Sequence, residues 1–345
     1  MLKPKQFLPK LKQIVINSPE KAIFVATFIL LALFPIASRN LYWMQAIMFG
    51  MFMAAIATSN DLLYGYSGIL SVTPLAFWAI GGFTAAVLAG GTHPYVPGGA
   101  DFIGFALNPW LAILLAGVFT AIIGVALAFP SLRIRGIYLA FLLIAFSELV
   151  VRVLRNEEWL TGGTIGFRLS FRLPFLPVDR YAYYYLVLGF LVISIVILRK
   201  FTSSRIGLII RAMRDNETAT KHLGIETLRY RLIAFGVSTF LMGVCGGLYA
   251  FIVNYITFDM GDTMQSFFIV VMSIFGGIGT LVGPFIGALL FIILSEYLRW
   301  MQELRMVFFG IILLAVVLYL PKGIIGTVLD RIKRWRIKTE LEGKK

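Results

Sequence analysis

The sequence predicts an all-α polytopic membrane protein, and three observations support this class. Apolar residues make up 59% of the 345 residues, and the mean hydropathy is +0.87. Runs such as YYYLVLGFLVISIVIL and FFGIILLAVVLYL are long enough to cross a bilayer core of roughly 30 Å as helices. No polar stretch between the apolar runs reaches the size of a soluble domain. We therefore expect a single membrane domain with short loops.

The apolar runs divide the chain into about ten predicted transmembrane helices, within a range of eight to ten. Residues 265–298 are too few for two full crossings of about 20 residues each, so we expect two short or partly re-entrant helices there. The ten predicted spans are residues 21–39, 42–59, 66–89, 110–128, 137–154, 181–198, 230–252, 265–281, 284–298 and 305–320.

The basic residues predict how these spans are oriented. With the N-terminus in the cytoplasm, 23 of the 31 Lys and Arg residues fall on the cytoplasmic side, as the positive-inside rule requires. Both termini are therefore expected in the cytoplasm, and the net charge of +14 does not indicate a nucleic-acid partner. The predicted domains are a basic cytoplasmic segment at 1–20, a transmembrane domain at 21–320 with a cytoplasmic loop at 199–229, and a basic cytoplasmic tail at 321–345.

Few residues are suited to catalysis or to metal binding. The single cysteine, Cys245, lies in an apolar segment and leaves no disulfide framework. The two histidines lie far apart in sequence and give no metal-ligand spacing. No carboxylate pair, histidine cluster or nucleophile arrangement lies in the predicted spans. We therefore expect no metal site and no enzymatic activity in this chain.

Two segments interrupt the apolar helices with glycine and proline: GYSGILSVTPLAFWAIGGF (65–83) and FGGIGTLVGPFIGALL (275–290). Loosened backbone hydrogen bonding is tolerated in a membrane only where protein or a water-lined cavity covers it. Small residues such as Gly81, Gly283 and Gly287 favour close helix packing, whereas interrupted helices in corresponding places of two halves favour a transport pathway. Both interpretations stay open. The candidate pathway residues are Ser71, Thr73, Pro74, Trp78, Glu148, Asn254, Gly276, Gly277 and Gly279.

Glu148 is an ionisable residue near the middle of the fifth predicted span, and such residues are candidates for function. Arg152 follows four residues later, which is the favourable order for a helical ion pair. The sequence therefore predicts a structural pair with Arg152, with a substrate contact as the alternative.

The stretch RAMRDNETATKHLG (211–224) predicts a short capped helix between the sixth and seventh spans. Asp215 or Asn216 can cap the helix, Glu217 adds negative charge to its first turn, and a basic last turn complements its dipole. Gly224 supplies a left-handed stop. We expect an isolated cytoplasmic helix of about two turns, which is too short to be stable alone in water. Either its own membrane domain or a partner protein must hold it.

Several motifs together resemble one family of membrane proteins. They are ALAFPSLRIRGIYLAFLLIAFSELVVRVLRN followed by LTGGTIGF, then IGLIIRAMRDNETATKHLGIETLRYRLIAFGVSTFLMGVCGGLYA, FGGIGTLVGPFIGALL and a final PKGIIG. In this order and spacing, from about residue 20 to residue 326, the sequence strongly resembles the membrane permeases of branched-chain amino acid ABC importers, the LivM type in particular.

The resemblance implies an ABC importer permease fold and a multi-pass location in the inner membrane of a prokaryote. It implies a second, LivH-like permease, two cytoplasmic ATPases and an extracytoplasmic binding protein that delivers a small-molecule substrate. ATP and magnesium would act on the ATPases, because this sequence has no G-x-x-x-x-G-K-[ST] phosphate loop. In this family the matching loop contains the helix that couples to the ATPase. The implied coupling residues are Arg211, Arg214, Asp215, Asn216, Glu217, Ala219, Lys221 and Gly224.

One departure from the family concerns the substrate. Where the family usually reads S-L-G-H, this sequence has Ser71, Val72, Thr73 and Pro74. The expected function is import of branched-chain or related amino acids by alternating access. The alternatives are import of urea, short amides or other small solutes by the same type of machine, and a stand-alone secondary transporter or channel.

Overall fold

The computed structural model describes residues 19–38, 40–92, 105, 107–131, 134, 137–169, 173–174, 179–302, 304–320 and 323–327. The predicted terminal segments, apart from 19–20 and 323–327, lie outside the described residues. The α-helices are α1 (Pro19–Ala37), α2 (Leu41–Asp61), α3 (Pro74–Ala89), α4 (Pro109–Ser131), α5 (Ile137–Asn156), α6 (Glu158–Thr161), α7 (Arg180–Ser203), α8 (Arg205–Asp215), α9 (Glu217–His222), α10 (Thr227–Val253), α11 (Thr263–Gly276), α12 (Val282–Tyr297) and α13 (Leu304–Tyr319).

Each of the ten predicted spans overlaps one of these helices. Among the described residues, four stretches are long and apolar enough to cross a membrane, namely Leu41–Tyr66, Pro109–Pro130, Arg180–Ser203 and Thr227–Val253. Shorter apolar helices lie at Ile23–Ala37, Pro74–Ala89, Thr263–Gly276, Val282–Tyr297 and Val307–Val316. The described part of the chain is therefore mostly helical, with several membrane-length helices, as the sequence predicts.

The third span begins later than predicted. Residues 66–89 were assigned to one span with a glycine- and proline-rich interruption within 65–83, and in the structure the helix of this span starts only at Pro74. Helix α2 instead runs past residue 59 and ends in a π-helical turn at Leu62–Tyr66, which is hereafter called the π-turn. Gly68 then takes a positive φ of 70°, and Pro74 has no backbone N–H to donate, so it fits only a first helical turn. Residues 67–73 are thus a mostly buried, non-helical connection, in which only Gly68 and Leu70 are exposed.

Two ends of the helix bundle can be distinguished by their contacts. Three short strands, β1 (Gly91–Thr92), β2 (Phe167–Leu169) and β3 (Tyr255–Ile256), form an antiparallel sheet in the order β1-β2-β3. Gly91 pairs with Leu169 and Phe167 pairs with Ile256. The connections that follow α3, α6 and α10 therefore meet at one end, the sheet end. Helices α8 and α9 lie at the opposite end, the α9 end.

Glycines let the central helices approach one another closely, as predicted for Gly81, Gly283 and Gly287. A Cβ atom at Gly81 would collide with the backbone of Gly243, which brings α3 directly against α10. A Cβ at Gly283 or Gly287 would collide with backbone atoms of α11 or of the break after it. Close packing through small residues is therefore present in both glycine-rich segments.

Candidate functional site

A helical hairpin, α8 followed by α9, forms the surface of the α9 end. Ser204 caps α8, and the buried face of that helix carries Ile210 and Met213. The side chain of Asn216 caps α9 by accepting a hydrogen bond from the N–H of Ala219 at 2.9 Å. The predicted short helix is therefore confirmed with Asn216 as its cap, whereas Asp215 is the last residue of α8. The prediction of an isolated helix is wrong, because α8 runs directly into it.

Charged contacts hold α9 against the membrane domain. The Glu217 carboxylate lies 2.7 Å from the Lys221 ammonium and 3.0 Å from the guanidinium of Arg231 on α10. The hydrogen bond from Lys221 and the neighbouring Arg231 lower the pKa of Glu217 below its ordinary value, although partial burial opposes this shift. Glu217 thus faces its own chain and links α9 to α10.

The outer surface of α9 is open to a partner. Leu223 is 78% exposed at the end of the helix, and Lys221 and His222 are exposed beside it. Gly224 follows with φ +77°, which is the left-handed stop that the sequence predicts. Sequence reasoning missed Leu223, because a single leucine in a charged stretch gives no periodic signal.

Two arginines of α8 connect this hairpin to the π-turn. The Arg214 guanidinium donates a hydrogen bond to the carbonyl oxygen of Gly65. The Arg211 guanidinium lies 4.7 Å from the centre of the Tyr66 ring, within range of a cation–π contact. Both predicted coupling residues therefore contact their own membrane domain.

A buried carboxylate then connects the π-turn to the break between α11 and α12. Asp61 is 0% exposed, and its two carboxylate oxygens accept hydrogen bonds from the N–H of Gly279 at 3.0 and 3.1 Å. Gly279 has φ +74°, and a Cβ there would lie 2.9 Å from Arg214 Nη1. The π-turn, α8 and the break thus meet at one point, hereafter called the Asp61 junction. Sequence reasoning missed Asp61, although an acidic residue directly after an apolar span was a usable signal.

Four of the predicted pathway residues carry a buried polar atom without a hydrogen-bond partner among the described residues. These atoms are Ser71 Oγ, Thr73 Oγ1, Trp78 Nε1 and Asn254 Oδ1. Asn60 Oδ1, which sequence reasoning missed, shares this property, while Asn60 Nδ2 donates to the Ser71 carbonyl oxygen at 3.1 Å. Since burying a polar group without a partner costs free energy, these positions are candidates for contact with a ligand or water.

The remaining predicted pathway residues fall at different places. Pro74 begins α3, and Gly276, Gly277 and Gly279 form the end of α11 and the break after it. Glu148 lies elsewhere, on the half-exposed face of α5, where its carboxylate is 3.7 Å from Arg152 Nε. The predicted Glu148–Arg152 pair is therefore confirmed, and the structure does not bring Glu148 to the helix breaks. Asn254 ends α10 in the left-handed conformation with φ +59°.

The comparisons with known proteins agree on one family. The family model described as branched-chain amino acid transport system / permease component matches residues 42–317. The chain is 27% identical over 299 residues to the high-affinity branched-chain amino acid transport system permease protein LivM of Escherichia coli. The aligned residues are 79% of this chain and 67% of that protein.

Two further relatives extend this range. A probable branched-chain amino acid transport permease protein LivM of Methanocaldococcus jannaschii is 26% identical over 84% of this chain and 94% of its own length. The autoinducer 2 import system permease protein LsrC of an Enterobacter strain is 28% identical over 54% of this chain and 56% of its own length. No solved structure matches the chain. Because the family model covers most of the chain, this multi-pass membrane protein belongs to the branched-chain amino acid transport permease family.

Proposed function

We propose that this chain is the membrane permease subunit of an ABC importer that moves branched-chain or related amino acids by alternating access. Family membership supports the transport role, and two relatives are named as branched-chain amino acid permeases. One relative is named as an autoinducer 2 import permease. Small solutes other than amino acids must therefore be tested as substrates as well. A stand-alone secondary transporter or channel would leave the exposed face of α9 without a partner.

In this proposal the chain crosses the inner membrane of a prokaryote ten times, and both termini are cytoplasmic. The α9 end faces the cytoplasm and the sheet end faces outside. The excess of Lys and Arg predicted on the cytoplasmic side supports this orientation. The basic loop that contains α8 and α9 lies at the end opposite the sheet, as the orientation requires.

The exposed face of α9 is the proposed docking site for a cytoplasmic ATPase. A six-residue helix is too short to persist alone, and its contacts with Arg231 and α8 cover only its inner side. Leu223 is then the exposed apolar side chain that would enter a pocket on the ATPase, where its apolar surface would be buried. ATP and magnesium would bind the ATPase pair, and a second permease and an extracytoplasmic binding protein would complete the importer.

The Asp61 junction is the observation that carries the proposed mechanism. ATP-driven closure of the ATPases would move α9, and α8 would follow because only the extended residue Asn216 separates the two helices. Arg214 links α8 to Gly65 in the π-turn, and Asp61, the last residue of α2 before that turn, accepts from the N–H of Gly279 in the break. A movement of α9 would therefore reach the break between α11 and α12 through direct contacts. Such a movement switches the pathway between outward and inward openings.

Replacing the exposed anchor of α9 tests this function. Leu223→Asp should abolish co-purification of the ATPases and ATP-driven uptake of leucine, while membrane insertion stays normal. Trp159→Asp is the matched control, because Trp159 is also an exposed large apolar residue but lies at the sheet end. That control should retain the ATPases. Co-purification of ATPases with Leu223→Asp at the wild-type level would contradict the docking proposal.

A panel of substrates tests the transport class. The unmodified importer should take up leucine, isoleucine or valine with ATP. Uptake of urea or short amides in place of amino acids would overturn the substrate assignment, and uptake without any ATPase would favour a secondary transporter.

A further inference from the structure

A deep slot between α11 and α12 is not used by the coupling contacts described above. Its volume is about 880 Å³, and helices α2 and α13 close its sides. This size falls within the range of roughly 300–1,000 Å³ that is usual for small-molecule sites. The lining residues from α11 run from Met264 to Met272 and from α12 run from Phe291 to Glu296. One face of each helix therefore lines the slot over more than one turn.

The slot opens at the sheet end and reaches toward the middle of the bundle. Asp262, Glu296 and Arg299 lie at its mouth, where Glu296 and Arg299 both contact the hydroxyl of Tyr42 at the start of α2. Ten residues separate Asp262 from Met272, which spans about 15 Å at 1.5 Å per helical residue. This distance equals half the thickness of a hydrocarbon core of roughly 30 Å. The slot is thus deep enough to end near the membrane midplane.

The mouth of the slot carries both signs of charge, and these groups have unused hydrogen-bonding capacity. Asp262 Oδ1 accepts from the N–H of Met264 at 3.0 Å, which leaves Oδ2 available. The described hydrogen bonds of Arg299 use only Nη1, toward Tyr42 at 3.0 Å and Glu296 at 3.5 Å. A guanidinium has five N–H donors. The mouth therefore offers a carboxylate oxygen to an ammonium group and guanidinium N–H groups to a carboxylate group.

The floor of the slot has the opposite character. Met53, Leu75, Ile269, Met272 and Ile292 are buried apolar residues that line it. These side chains favour an aliphatic group by burial of apolar surface, and an ionised side chain there would lose its hydration.

The floor also lies next to the non-helical connection before α3. Leu75 belongs to the floor, and its N–H donates to Ser266 Oγ at 3.3 Å. Two residues earlier, Thr73 is fully buried, and its hydroxyl has no hydrogen-bond partner among the described residues. Met272 lies four residues before Gly276, which ends α11 at the break. The slot therefore reaches both helix interruptions from the sheet side.

We propose that this slot is the site where the permease itself receives its substrate, an α-amino acid with an uncharged branched side chain. Asp262 and Glu296 take the ammonium group, Arg299 takes the carboxylate, and the floor takes the side chain. This inference rests on the proposed function, since it requires an amino-acid importer with the sheet end outside.

Protection of an introduced cysteine by leucine tests whether the slot binds the substrate. The only natural cysteine of the chain, Cys245, is buried, so Gln265→Cys adds an accessible thiol on the slot lining. The assembled importer is reconstituted, and a membrane-impermeant thiol reagent is added from the sheet side. Saturating leucine should slow the labelling of Gln265→Cys at least fivefold, and lysine or aspartate should not. Tyr181→Cys, an exposed position at the start of α7 on the same end, is the control that leucine should not protect.

The possible outcomes separate this inference from the proposed function. If leucine leaves the labelling unchanged while the importer takes up leucine with ATP, the slot is not the substrate site and the proposed function stands. Equal protection by lysine would also overturn the assignment of the apolar floor. Protection that is lost in Gln265→Cys combined with Glu296→Gln would support the role of the mouth. An unmodified importer that shows no ATP-driven uptake of amino acids would overturn the proposed function itself.

Discussion

Replacement of Asp61 by alanine should uncouple ATP hydrolysis from transport. The change removes the oxygens that accept from the N–H of Gly279 at 3.0 and 3.1 Å and leaves that donor, in a partly buried residue, without its partner. A buried donor without a partner costs about 1–3 kcal/mol. Since 1.4 kcal/mol corresponds to about a factor of ten in an equilibrium constant, attachment of the break to the π-turn should weaken by about 5- to 150-fold.

The assay is the number of amino acids transported per ATP hydrolysed by the reconstituted importer. Asp61→Ala should lower this ratio at least fivefold while the ATPases remain bound. Thr58→Ala is the matched control, because Thr58 is also buried on α2 but its hydroxyl bonds only the carbonyls of Ala54 and Ala55 in its own helix. If Asp61→Ala does not fold, Asp61→Asn retains an acceptor and a similar shape and should give an intermediate ratio. Equal ratios for all these variants and the wild type would refute the reasoning.

Three further predictions concern α9 and the glycines. Asn216→Ala should cost about 1 kcal/mol of helix stability and weaken ATPase binding about fivefold in a pull-down titration, whereas Asn216→Asp should retain binding. The ion pairs lower the pKa of Glu217 from its ordinary value of 4.5. Their stabilisation of α9 is therefore complete at a pH above 4.5 and is lost as the pH falls through the lowered pKa. Amide hydrogen exchange of α9 should increase over that acidic range, and Glu217→Gln should remove the pH dependence. Gly276→Ala should block folding or uptake, because its Cβ would collide with the backbone of α12, whereas Gly189→Ala, which meets open space, should be tolerated in the same thermal unfolding and uptake assays.

Local features were predicted well from the sequence. The cap, the acidic first turn and the terminal glycine of α9 are determined by residues 215–224 alone, so neighbours in sequence contain the whole signal. The same holds for the glycine-rich break after α11, because glycines and Pro284 interrupt an otherwise apolar run.

The long-range contacts could not be predicted in this way. Asp61 and Gly279 are 218 residues apart, and a single sequence contains no signal for their pairing. The late start of α3 was missed because a π-helical turn and a helix continue the same apolar pattern. Arg211 and Arg214 were predicted as coupling residues from the family resemblance, but their contacts with the π-turn depend on the packing of α8, which the sequence does not show.

The central claim is that movement of α9 reaches the helix break through Arg214 and Asp61. The most direct test is the thiol reactivity of Ile278→Cys, a position within the break, in the assembled importer with and without ATP. Our account predicts that ATP changes this reactivity several-fold, and that adding Arg214→Met abolishes the change while ATP hydrolysis continues. The same response to ATP in the presence of Arg214→Met would contradict the account.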